Sequence, residues 1–240
     1  TRNCRIVLFP RTSFKYINLN LQNRLIKSRY ICEGLKFNRK RNRYMSDKPN
    51  STKTALVRVD YNVPIKNGKI LDFKRIEASL PTLNYLIQQN TPIILMSHLG
   101  RPKKPNLEDS LKILINPIER LLKKKVIFIE NPQEINIPIG SIGLLENLRF
   151  HPGEKNNDRG FCERLAKLGD FYINDAFGAS HREHASISGI KEFFPEKNYK
   201  GMLLESELNQ LHVLKKNPQS PYTIIVGGSK IGSKIHMLET

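Results

Sequence analysis

The chain has no run of about 18 apolar residues, so its pattern offers no membrane-spanning helix. Cysteine is scarce. Cys4, Cys32 and Cys162 are odd in number, scattered and without a CxxC pair, which excludes a disulfide framework and suits a reducing compartment. Acids are scarce at the start: residues 1–50 carry 13 Lys+Arg against Glu33 and Asp47, whereas residues 51–240 carry 27 against 20. Most of the formal net charge of +18 therefore sits in a leader, residues 1–52, that sustains no helical or strand period for long. A basic, acid-poor start has the composition of an organellar transit peptide. It could equally lie upstream of a true start at Met45-Ser46; a basic nucleic-acid tail ranks well behind both, since no aromatic-interleaved platform accompanies it. Ile6–Phe9 is too short for a secretory core.

At 240 residues the chain can bury a real core and hold one large domain or two modest ones. From about residue 53, short apolar runs alternate with amphipathic stretches. Ala55–Val59, Ile93–Met96, Val126–Ile129, Ile142–Leu145, Phe171–Ile173 and Thr223–Val226 have the composition of parallel strands covered on both faces. Ile76, Leu80, Leu83 and Ile87 share one helical face after a capping Asp72, and Leu111, Ile115, Ile118 and Leu122 share another. Pro81 and Pro117 predict a kink or restart in each. Arg159–Leu168 and Met202–Lys216 are further helix candidates. The expected fold is α/β, a Rossmann-like parallel sheet flanked by helices, with right-handed crossovers.

The chemistry follows the strands. After successive apolar runs come Asp60-Tyr61-Asn62, then Ser97-His98-Leu99-Gly100-Arg101, then Glu146-Asn147-Leu148-Arg149, then Asn174-Asp175 with His181-Arg182, then Gly227-Gly228-Ser229-Lys230. In an open parallel sheet the carboxyl ends of the strands lie along one edge, and ligands bind there. These segments are expected to converge, bringing Arg75, Arg101, Arg149 and Arg182 together with His98 and His181. Such arginines repel one another unless they hold anions, and their forks match carboxylate and phosphate oxygens. A lone arginine is more often a surface ion pair; the joint placement argues for a small ligand carrying both kinds of anion.

Gly227–Gly232 has the G-x-x-x-x-G spacing of a P-loop, but Ser233-Lys234 reverses the order of the following pair. A strand, a glycine pair and a helix start still favour an anion, and Lys230 and Lys234 would share one helix face. His181-Arg182-Glu183-His184 matches no zinc spacing, so no metal site is expected. Glu146 and Asp175 could form an acid/base pair, but capping loops at strand ends or pairing with the arginines is the expected role.

At these residues the sequence resembles phosphoglycerate kinase. Arg58–Pro64 is similar to that family's RVDxNVP, Ser97–Pro102 to SHLGRP, Leu144–His151 to LLENxRFH, Asp175–Ser186 to DAFGxxHRxHxS, and Gly227–Ile235 to GGxKxxxKI. The resemblance implies a phosphoglycerate-binding lobe over residues 53–200, an interdomain helix and hinge over 201–216, and a truncated nucleotide-binding lobe from 217 to 240. In such a piece the Thr223–Val226 strand is expected to lack its sheet partners. The implied reaction is reversible phosphoryl transfer between 1,3-bisphosphoglycerate and ADP, giving 3-phosphoglycerate and ATP, with Mg2+ carried by the nucleotide. The implied substrate residues are Asp60, Tyr61, Asn62, Arg75, His98, Leu99, Gly100, Arg101, Arg149 and Arg182. Arg75 and Lys230 would serve the phosphoryl group in flight, and Gly228, Lys230 and Lys234 the nucleotide. The resemblance further implies a monomer without nucleic acid or membrane, cytoplasmic unless the leader directs it to a plastid or similar organelle. The chain as it stands is expected to be inactive alone. It could also be a non-catalytic phosphoglycerate binder, or a nucleic-acid-binding piece dominated by its leader.

Overall fold

The computed structural model describes Cys4–Phe9, Lys15–Ile17, Arg43–Tyr44, residues 53–131, residues 137–216 and Tyr222–Gly227. The first strands in chain order are β1 (Cys4–Phe9), β2 (Lys15–Ile17), β3 (Arg43–Tyr44), β4 (Ala55–Val59), β5 (Ile65–Lys66) and β6 (Lys69–Ile70). They are followed by β7 (Ile93–Met96), β8 (Val126–Ile129), β9 (Ile142–Leu145), β10 (Phe171–Asp175), β11 (Asn198–Lys200) and β12 (Tyr222–Gly227). The α-helices are α1 (Lys74–Glu77), α2 (Leu80–Gln88), α3 (Ile115–Leu122), α4 (Pro152–Lys155), α5 (Arg159–Ala166) and α6 (Met202–Lys216). None of the described helices is long and apolar enough to cross a membrane.

The chain divides into two compact units, one of Phe37–Glu207 and one of Thr1–Lys36 with Leu208–Thr240. In the second unit β1 lies parallel to β12 and antiparallel to β2. A six-residue strand thus stands inside the stretch read as a leader without sustained period, and β12 has a partner where the sequence reading expected none. The partner comes from the opposite end of the chain, so no local pattern announces it.

The larger unit is built on a seven-stranded sheet in the order β3-β11-β10-β4-β7-β9-β8, with every neighbouring pair parallel. Ala55 of β4 stands opposite Ile93 of β7 on one side and Phe171 of β10 on the other. Strand side chains alternate between two cores. Ala55, Val57, Val59, Ile93, Leu95 and Ile173 join Ile76, Leu83, Leu86, Leu114 and Ile118 from the helical layer on one face. Leu56, Ile94, Met96 and Tyr172 join Phe161, Cys162, Leu165 and Ile190 on the other. Each fully buried Leu, Ile or Val contributes roughly 1.5–3 kcal/mol against exposure, so the two faces together stabilise the central strands.

Both prolines restart their helices as the sequence predicts. α1 ends at Glu77, with Asp72 Oδ1 accepting the Lys74 N–H at 2.8 Å, and α2 begins at Leu80 with Pro81 in its first turn. Before α3, Leu111–Leu114 forms a 3-10 turn capped by Ser110, whose Oγ accepts the Lys112 N–H at 3.2 Å. α5 starts where Asp158 accepts the Phe161 N–H at 2.7 Å, and it stops at Ala166, two residues before the predicted end. Strand β10 runs past the predicted Ile173 to Asp175. The order of strands reverses at β4: the chain moves out through β7 toward β8 and β9, then returns to β10 on the other side. The crevice of an open α/β sheet opens at such a reversal, beyond the strand ends.

Candidate functional site

The loops leaving β4, β7 and β9 are tied to one another by side-chain to backbone hydrogen bonds. Ser97 Oγ accepts the Tyr61 N–H at 2.9 Å, and Asn62 Oδ1 accepts the Gly100 N–H at 2.9 Å. Asn147 Oδ1 accepts from the Leu99 and Arg149 amides at 3.3 and 3.1 Å, while its Nδ2 donates to the Leu99 and Asp109 carbonyls, both at 2.8 Å. Arg149 NH1 donates to the Gly100 carbonyl. Gly100 has φ +62° and a Cβ there would collide with the Asp109 carboxylate, so the position demands glycine.

Into this frame the fold brings an accumulation of positive charge. Arg149 is buried, and its pKa is brought down to about 10 by burial first and then by Arg182 and Arg58, with a smaller push from Arg101 that Glu154 opposes. His98 is pushed down to about 2 by burial, then by Arg58, Arg149 and Arg182, so it is neutral at every physiological pH. Among the described residues, the buried Nε atoms of Arg149 and Arg182 have no hydrogen-bond partner. Buried donors that the protein leaves unsatisfied, in a group of like charges, suit an anionic ligand.

Arg75 stands apart from that cluster. Reaching from α1, it is half exposed and pairs with Asp60, which follows β4. Gly178 closes on the same pair: a Cβ there would lie 2.9 Å from Asp60 Oδ2. Arg101 is exposed, Asn62 and Gly100 half-buried. Two residues counted among the substrate ligands turn away. Tyr61 is fully buried, its hydroxyl 2.8 Å from Ser79 Oγ, and Leu99 lies in the core, so neither side chain is offered to a ligand. Tyr61 is held inward by its Ser79 hydrogen bond and Leu99 by its packing in the core. Gly228, Lys230 and Lys234 lie outside the described residues.

Glu146 and Asp175 are structural. Glu146 accepts from the Ser110 hydroxyl at 2.7 Å and from the Leu111 and Asn147 amides at 2.8 and 2.7 Å. Asp175 Oδ1 accepts the Leu203 and Leu204 amides at 3.0 and 3.2 Å, holding the first turn of α6 against the end of β10. Among the described residues no group of three or more His, Cys, Asp or Glu could hold a metal ion. A cavity of about 930 Å3, bounded by Leu107, Glu130, Asn147, Phe150, His151 and Arg164, includes none of the clustered arginines.

The family model for phosphoglycerate kinase matches residues 45–240. The chain belongs to the phosphoglycerate kinase family. Among its relatives, the phosphoglycerate kinase of Wolbachia sp. subsp. Drosophila simulans is 48% identical over 193 residues, covering 78% of this chain and 48% of the relative. That of Chlamydia abortus is 45% identical over 200 residues, covering 78% and 49%. The solved phosphoglycerate kinase of Coxiella burnetii superimposes with a TM-score of 0.75 at 37% identity, over 82% of this chain and 51% of that one. The chain thus spans about half the length of these phosphoglycerate kinases.

Within this phosphoglycerate kinase fold, sequence reasoning passed over Arg58, Glu154 and Ser186. Arg58 is fully buried in β4, Glu154 fully buried in α4, and Ser186 fully buried in the loop after β10. A charged residue inside an otherwise apolar five-residue strand was the available signal for Arg58. Ser186 was marked only as the last residue of the DAFGxxHRxHxS resemblance, and nothing local marks Glu154.

Proposed function

We infer that this chain is the phosphoglycerate-binding part of an enzyme that passes a phosphoryl group reversibly between 1,3-bisphosphoglycerate and ADP, giving 3-phosphoglycerate and ATP. The observation that carries this reading is the gathering of Arg58, Arg149 and Arg182 around a neutral His98, with Arg101 acting on Arg149 and two buried guanidinium donors unsatisfied by the protein. His98, Arg101, Arg149 and Arg182 hold the phosphate far from the reacting end. Asp60 and Asn62 receive the glycerate, Asp60 as an acceptor for its hydroxyl. Arg75, freed from Asp60, meets the carboxyl or acyl phosphate and stabilises charge on the group in flight. The residue types support this mechanism, because phosphoryl transfer through a loose transition state needs alignment and cationic donors rather than a covalent nucleophile. Magnesium is proposed to arrive with the nucleotide, whose candidate ligands Gly228, Lys230 and Lys234 lie outside the described residues. The proposed compartment is the cytosol, with an organelle as the alternative that the basic leader supports.

Calorimetric titration of the 240-residue chain with 3-phosphoglycerate tests the reading, with polyanionic RNA as the comparison. Saturable binding of 3-phosphoglycerate is expected. Binding of RNA alone, with a steep salt dependence, would replace the substrate reading with the nucleic-acid one.

A further inference from the structure

Arg58 sits at the head of a buried relay that leads away from the anion site. Its Nε donates to Ser186 Oγ at 2.8 Å, and its NH2 lies 3.0 Å from His98 Nδ1. Ser186 donates its hydroxyl to Glu154 Oε1 at 2.7 Å and its amide to Oε2 at 3.0 Å. Tyr172 steadies the turn by donating its hydroxyl to the Ser186 carbonyl at 2.8 Å. Donor chemistry fixes the direction of every proton. A guanidinium has no acceptor, so Ser186 Oγ and His98 Nδ1 must both accept from Arg58. The single Ser186 hydroxyl proton therefore goes to Glu154, and the His98 proton resides on Nε2. The 3.9 Å approach of His98 Nδ1 to Asp60 is then no ion pair, because that nitrogen carries no proton. A buried guanidinium without an anionic counterpart would be strongly destabilising, and Glu154 is the carboxylate its relay reaches.

We propose that Glu154, acting through Ser186, is a positioning residue: it holds Arg58 so that His98 is fixed as an Nε2–H donor toward the anionic ligand. The proposal rests on the phosphoglycerate reading for the identity of that ligand. It makes a prediction opposite in sign to simple electrostatics. Removing a carboxylate near clustered arginines should strengthen anion binding; removing a positioning carboxylate weakens it.

The test uses the 240-residue chain with Glu154→Gln and Ser186→Ala. Nitrogen-15 NMR of labelled histidines reads the His98 tautomer without ligand, and calorimetry reads the affinity for 3-phosphoglycerate. The unaltered chain should show the Nε2–H tautomer. Both variants should show a mixture of tautomers and an affinity about tenfold weaker. Tighter binding by Glu154→Gln overturns the proposal, as does an unchanged tautomer or a changed tautomer with unchanged affinity. Should Glu154→Gln fail to fold, Ser186→Ala, which deletes one oxygen, decides by the same two readings. If the unaltered chain ignores 3-phosphoglycerate while the tautomer still responds, the ligand assignment fails and the positioning of His98 stands.

Discussion

Replacing Asp175 by Asn should change how the stability of this chain depends on pH. Asp175 is fully buried at the end of β10, and burial pushes its carboxyl up to about 6 from an ordinary 3.8. The Leu203 and Leu204 amides, together with the Thr82 hydroxyl, pull the other way without prevailing, and Oδ2 takes no hydrogen bond of ordinary geometry. At 1.36 kcal/mol per pKa unit, keeping the charge at neutral pH costs about 3 kcal/mol. The folded pKa lies above the unfolded one, so the native state holds its proton more tightly. The stability this group contributes is present below about pH 4 and is lost as pH rises through about 6. Asn cannot titrate, and its Oδ1 can still accept from the first turn of α6. Asp175→Asn should therefore gain on the unaltered chain by up to about 3 kcal/mol between pH 4 and pH 7. Asp175→Ala, with no acceptor, should be about 1–2 kcal/mol less stable than Asp175→Asn at every pH. Urea unfolding followed by circular dichroism across that range measures both differences. A flat difference between Asp175→Asn and the unaltered chain would refute the burial argument. A slope of opposite sign would show that the helix N-terminus stabilises the carboxylate more than burial penalises it.

Gly178→Ala places a methyl 2.9 Å from Asp60 Oδ2 at a backbone conformation that alanine tolerates. It should displace Asp60 from Arg75 and weaken 3-phosphoglycerate binding about tenfold by calorimetry, with a melting shift of only about 2 °C. Unchanged affinity would remove Asp60 from the binding groups. Asn147→Ala deletes the side chain that ties the loops after β7 and β9, leaving the Leu99 amide and the Asp109 carbonyl without that partner. It should destabilise the chain by about 3 kcal/mol in urea unfolding, and a loss under about 1 kcal/mol would mean that water replaces those bonds.

Much of the larger unit was legible because its signals are local. Ala55–Val59, Ile93–Met96, Val126–Ile129 and Ile142–Leu145 are apolar runs whose limits match the strands residue for residue. Pro81 and Pro117 mark helix restarts because proline denies a backbone donor wherever it stands. Arg149 and Arg182 were recognisable from their position after strands. Tyr61 and Leu99 were not separable from their ligand-facing neighbours, since motif adjacency says nothing of which way a side chain points. The partner of β12 was hidden more completely, because β1 lies some 200 residues away along the chain and pairing at that distance leaves no periodic trace.

The sequence by itself determined the alternation of strand and helix, the family and the residue types gathered for an anion, since each is written in neighbouring side chains. Tertiary structure alone decided which strands flank β4, that Arg75 answers to Asp60 rather than to the other arginines, and that Arg58 is joined through Ser186 to Glu154. Those are relations between residues far apart in the chain. Burial gives them their strength: a charge removed from water must find its counterpart in three dimensions, wherever the chain has put it.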